Sequence, residues 1–134
     1  MSSKTVEYLV SAEYLLENID TAGDYSPVII QYGRAVENEL KRIFLSIRSG
    51  NWLLGPMEIS LKNFFNGTID YPQLPTLLNN MFIAPAALRI DLLEDIRKIR
   101  NSAAHAGATK TRQEALDYIA ETKDFLDNWI ATQK

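Results

Sequence analysis

The chain has 134 residues, 46% of them apolar and 23% charged, with a net charge of −3, no cysteine and one histidine. A single domain over 1–134 is expected, and a fold of this size buries about two-thirds of its unfolded surface, enough for a core without staples. The missing cysteines exclude disulfides and thiolate metal sites, while the polar start MSSKTVEYLV gives no secretory signal or membrane span, so a cytoplasmic, membrane-free protein is expected.

Strand signals are weak and helix signals strong. The first helix is expected from about Lys4 to Ile19, with Val6, Leu9, Tyr14, Leu15 and Leu16 on its apolar side. The second begins at Ser26 as N-cap and Pro27 at the first helical position, where a missing N–H does no harm. Val28, Ile29, Tyr32, Ala35, Val36, Leu40, Ile43, Phe44 and Ile47 recur at helical steps until Gly50. Residues 51–84 are less regular. Gly55-Pro56 opens a short helix carrying Met57, Ile59, Leu61, Phe64 and Phe65, which Gly67 stops. Asn66-Gly67-Thr68 fits a glycosylation sequon and is read as a turn. Tyr71-Pro72 and Leu74-Pro75 mark an irregular crossing, with a short helical piece over 75–80.

A long helix is then predicted from Pro85 to Gly107, with Leu88, Leu92, Ile96, Ile99 and Ala103 as its buried stripe. The last helix opens with a capping box, Thr111 to Glu114. Two stripes follow, Ala115, Tyr118, Phe125 and Trp129 beside Leu116, Ile119, Leu126 and Ile130, wide enough for packing between two neighbours. The expected fold is all-α, an antiparallel bundle of four to five helices, with 51–84 as an elaboration.

Charge is unevenly spread. Residues 1–25 carry one basic and five acidic groups; residues 89–112 carry six basic (Arg89, Arg97, Lys98, Arg100, Lys110, Arg112) and three acidic (Asp91, Glu94, Asp95). The basic zone reads either as a solvated helix face or as a guide for a polyanion.

Within that zone, IRNSAAHAG holds the lone histidine. Asn101 and His105 are four apart and share a helix face, so the amide can reach the imidazole and select its tautomer. Arg100 can bring its guanidinium beside the ring. Metal-free RNA cleavage needs a base for the 2′-hydroxyl, an acid for the leaving 5′-oxygen and positive charge at the phosphate. Free histidine titrates at about 6.5 and serves in either role, and an arginine fork suits phosphate. One histidine cannot fill both roles at once, so the chemistry predicts a two-fold dimer. The bland alternative is that both cations answer the helix dipole.

The phrase RIDLLEDIRKIRNSAAHAG, followed by a capped final helix, resembles the HEPN superfamily of small helical bundles, whose hallmark is Arg, four to six residues, then His, often written as an apolar residue followed by R-N-x-x-x-H. Ile99, Arg100, Asn101 and His105 fill each specified place, and SPVIIQYGRAVENELKRIF is similar to the equivalent helix of several HEPN families. The resemblance implies a dimer with the motif in its cleft and metal-independent endoribonuclease activity leaving a 2′,3′-cyclic phosphate, often in toxin–antitoxin, antiphage or RNA-processing systems. It implies catalytic roles for Arg100 and His105, support from Asn101, and a polar group on the second helix, with Glu37 the first candidate and Arg34 the reserve. Arg97, Lys98, Lys110 and Arg112 would guide RNA by charge. A toxin subgroup carries tyrosine two places after the histidine; Gly107 stands there, so control through that tyrosine is not implied.

No phosphate-binding glycine loop, zinc ligand set or serine or cysteine triad is present, so no cofactor or metal is expected. The carboxylate pairs Glu37/Glu39 and Glu94/Asp95 could touch Mg²⁺ but read rather as solvated faces. Trp52 reads as a partner surface or a lid on the core. The expected partners are RNA, a second copy and an antitoxin or other protein. The rival functions are a non-catalytic binding or scaffold module using the same cleft, and a purely structural dimer.

Overall fold

Six α-helices follow one another in the computed structural model, which describes residues 1–134: α1 (Ser3–Asn18), α2 (Ser26–Phe44), α3 (Leu54–Phe65), α4 (Leu74–Met81), α5 (Leu93–Ala104) and α6 (Arg112–Ala131). There is no strand, only a single antiparallel bridge between Phe82 and Gln133. The all-α bundle expected from periodicity is the fold.

Helix α2 is its axis. It packs along α1 and meets α3, α4, α5 and α6, and Val28, Ile29, Tyr32, Val36, Leu40, Ile43 and Phe44 are buried in it. These join a cluster of 27 buried apolar residues that includes Trp52, Phe82, Phe125 and Trp129. Trp52 is therefore core: it packs on Phe44 at 4.9 Å between ring centres, and Arg48 lies over its outer face. No helix is long and apolar enough to cross a membrane.

Several expectations are corrected by the structure. In α1, Val6 and Tyr14 are 43% and 66% exposed instead of lining the apolar side. The helix turns Thr5 and Ala12 inward because the Thr5 hydroxyl donates to Glu39, a fully buried carboxylate of α2 that also pairs with Arg42 at 3.0 Å. Glu39 is thus no solvated face. Ser26 is not the cap of α2 but lies within its first turn; Asp24 accepts from the Ser26 N–H at 2.9 Å and its hydroxyl at 2.7 Å, doing the capping instead. Helix α2 stops at Phe44, short of Gly50, as tighter bonds such as Ile47 N–H to the Phe44 carbonyl wind it down and the Trp52 indole donates to the Arg48 carbonyl.

The long helix predicted from Pro85 is shorter. Two 3-10 turns, Pro85–Ala87 and Ile90–Leu92, precede α5. The Asn128 side chain on α6 holds the backbone between them, donating to the Ala87 carbonyl at 3.0 Å and accepting from the Arg89 N–H at 2.8 Å. The buried stripe shifts accordingly: Leu93, Ile96 and Ala103 are buried, Leu92 and Ile99 only partly. Arg100 falls on that stripe, one turn from Ile96. Helix α6 keeps its capping box and buries Ala115, Tyr118, Ile119, Thr122, Phe125, Leu126 and Trp129, with Ile130 at the edge. In α3, Met57 and Leu61 are buried, while Ile59 and Phe65 face out.

Candidate functional site

Helix α5 ends at Ala104, and His105 is its C-cap in extended conformation. The turn that follows is closed by Gly107 at φ +79°, a left-handed geometry that favours glycine. The ring of His105 is exposed and shares a shallow depression with Asn101 and Ala104. The hydrogen bonds of this stretch go elsewhere, Lys110 Nζ to Ser102 Oγ at 2.9 Å and the Lys110 N–H to Asp24 at 2.9 Å, and none joins Asn101 to the ring. Asn101 is placed beside His105 without fixing its tautomer.

Arg100 points elsewhere. Positions five apart on a helix diverge by about 140°, and Arg100 enters the seam between α5 and α2. Its Nη2 stands 3.5 Å from Glu37, with the arginine side chain 19% and the glutamate 12% exposed. Glu37 is shared: it accepts the Leu54 N–H at 3.1 Å, at the start of α3, and faces Lys41 at 3.5 Å. The Nε of Arg100 is buried and has no hydrogen-bond partner. Of the two residues proposed on the second helix, the fold brings Glu37 to the motif, while Arg34 is exposed and outside these ion pairs.

The four guide cations differ. Arg97 donates to Glu58, a carboxylate 1% exposed on α3, which also takes Lys62 at 3.1 Å. Lys98 pairs with Glu94 at 3.1 Å, both well exposed, and Lys110 faces Glu114 at 3.6 Å. Arg112 is exposed and free of any ion pair. Within the basic zone, Arg97 and Arg100 are thus balanced by acids distant in the chain, whereas Lys98 and Lys110 are balanced by acids four residues away.

Two acidic features flank the site. Backbone N–H groups of Ser26 and Lys110, with the Ser26 hydroxyl, hold the Asp24 carboxyl below its usual range, and this bond set ties the α1–α2 loop to the loop after His105. Across the seam to α6, burial raises the Glu121 carboxyl to about 7, helped by a hydrogen bond and repulsion from Asp95 and by Asp124. No three His, Asp or Glu side chains gather closely enough to hold a metal ion.

Gly33 and Glu58 are important here and were not singled out by periodicity. Their signals are a glycine inside an otherwise strong helix and an acid at a core position beside Met57 and Leu61. Compared with family models, curated proteins and solved structures, the chain finds no significant match.

Proposed function

We propose that the protein is a metal-independent endoribonuclease of the HEPN type, acting as a two-fold dimer on single-stranded RNA or an RNA loop. One observation carries the reading: its only histidine stands exposed beside Asn101 at the end of α5, just beyond an arginine that a carboxylate of α2 holds in place. In the proposed reaction, His105 of one copy takes the 2′-hydroxyl proton. The 2′-oxygen attacks the neighbouring phosphorus, and the bond to the 5′-oxygen breaks. His105 of the second copy protonates that oxygen, leaving a 2′,3′-cyclic phosphate and a free 5′-hydroxyl. Arg100 stabilises the charge that gathers on the phosphate. Since Arg100 and His105 of one copy diverge around α5, the second copy supplies the converging partner. Arg112 and the exposed end of Lys98 attract the RNA backbone. The setting proposed is cytoplasmic RNA processing or defence, with an antitoxin or another protein able to cover the site.

A second reading is favoured by the burial of Arg100: paired with Glu37 in a helix seam, it can serve packing alone, which suits a non-catalytic binding module. Incubating the purified protein with mixed RNA in EDTA, beside His105→Ala, separates the two. The nuclease cleaves, and the variant is about 100-fold slower or worse. Silence from the parent protein across a broad RNA panel rejects the enzyme in favour of the module. Light scattering checks the dimer; a strict monomer defeats the two-histidine chemistry.

A further inference from the structure

A glycine inside a helix is unfavourable relative to alanine, because the unfolded chain has more freedom to lose. Gly33 nevertheless sits well inside α2, buried, with helix on both sides. A Cβ placed there would lie 2.3 Å from Cγ and 3.2 Å from Cβ of Arg100, and 3.1 Å from the hydroxyl of Tyr118. None of these neighbours retreats easily. Cβ and Cγ are the base of the arginine side chain, not its flexible end. The Tyr118 hydroxyl is buried and donates to the Ile96 carbonyl at 3.0 Å, one turn before Arg100 on the same helix. Gly33 and Tyr118 thus bound a slot through which the Arg100 stem runs. The guanidinium emerges beside Glu37, one turn further along α2.

We propose that Gly33 is the positioning residue of Arg100: its missing side chain seats the arginine stem and so sets where the guanidinium stands. The inference rests on reading Arg100 as the phosphate-facing group, and extends the site to a position on α2 that itself meets no substrate. The same helix supplies a control. Arg97 passes Gly55 of α3, but a Cβ there would lie 3.4 Å from Arg97 Cδ, an ordinary contact.

The test compares Gly33→Ala, Arg100→Ala, the double variant and Gly55→Ala in the full chain. It reads thermal midpoints, the Arg100 Nε–H resonance by NMR, and RNA cleavage in EDTA. Gly33→Ala is expected to lower the midpoint by about 5 °C or more, to move the Arg100 resonance, and to slow cleavage at least about tenfold. Gly55→Ala is expected to leave that resonance in place. In the Arg100→Ala background, Gly33→Ala should lose the larger part of its effect on the midpoint, since the 2.3 Å contact with Cγ is gone and only the milder ones with Cβ and Tyr118 remain. Should Gly33→Ala fail to fold while the double variant folds, the slot is supported. An equal penalty in both backgrounds, failure of both to fold, or an unmoved resonance in Gly33→Ala overturns the proposal. If the parent cleaves no RNA, the midpoint and resonance still judge Gly33 and only the nuclease reading falls. If the parent cleaves and Gly33→Ala matches it with the resonance unmoved, Gly33 alone falls.

Discussion

Arg97 and Arg100 leave α5 three residues apart, pass a glycine of the neighbouring helix, and meet a carboxylate within the next turn of that helix. The seam to α3 is finished: Arg97 bonds Glu58, which is 1% exposed and shares its second oxygen with Lys62. The seam to α2 is not. Arg100 stands 3.5 Å from a glutamate already divided between Leu54 and Lys41, and its Nε is buried without a partner. A buried donor left unbonded costs about 1–3 kcal/mol. The lesson is that similar parts can complete their hydrogen bonds in one seam and leave hydrogen-bonding capacity unspent in the next, and the second suits the phosphate-facing role proposed for Arg100.

The largest expected effect breaks the pair apart by function. Arg100→Met is expected to slow RNA cleavage by about 100-fold or more while changing the unfolding free energy by no more than about 1 kcal/mol, because it removes an unsatisfied donor along with the ion pair. A denaturant titration beside the cleavage assay reads both. Arg97→Met should do the reverse. It strips the main partner from a buried carboxylate, so stability should drop by about 2 kcal/mol, moderated by Lys62 remaining on Glu58. Cleavage at a temperature where the variant is folded should stay near the parent rate. Equal stability losses from the two substitutions would erase the contrast between the seams.

A smaller effect concerns the third neighbour of α5. Toward α6 it presents an acid, Asp95, to Glu121, whose carboxyl titrates at about 7 against an ordinary value of 4.5. Between those values the folded chain keeps a proton that the unfolded chain has lost, so stability falls as pH rises through that window and levels off above it. Glu121→Gln should remove this slope. Its melting midpoint is expected to gain on the parent's between about pH 4.5 and 7 and to stay a few degrees higher at pH 8, a modest gain because the site is well solvated. Asp124, Asp117, Glu114 and Lys110 face the same region and remain in the variant. A parent-to-variant difference that is flat from pH 4 to 8 would show that the fold does not raise the Glu121 carboxyl.

Much of the fold was legible because its signals are local. The capping box at Thr111 and Glu114, the period of α2 and the short helix after Leu53 depend on residues within a few places of one another. The site was legible where its residues share a turn, as Asn101 and His105 do. It was obscure where a partner comes from another helix. Nothing near Arg100 in the chain announces Gly33, and nothing near Arg97 announces Glu58.

The amino-acid order alone determined that this chain is helical, roughly where its helices lie, and that one asparagine and one histidine share a helix end, with an arginine next to them in the chain. Hydrogen bonds between near neighbours and the apolar period suffice for that. Only the tertiary structure decided which way each helix faces and which charges are spent. Thr5 turned α1 toward a buried glutamate, Asn128 delayed the start of α5, and acids on α3 and α2 took up Arg97 and Arg100, cations that the sequence left free. The reason is range: a side chain can bond a partner dozens of residues away only after the core has brought the two helices together.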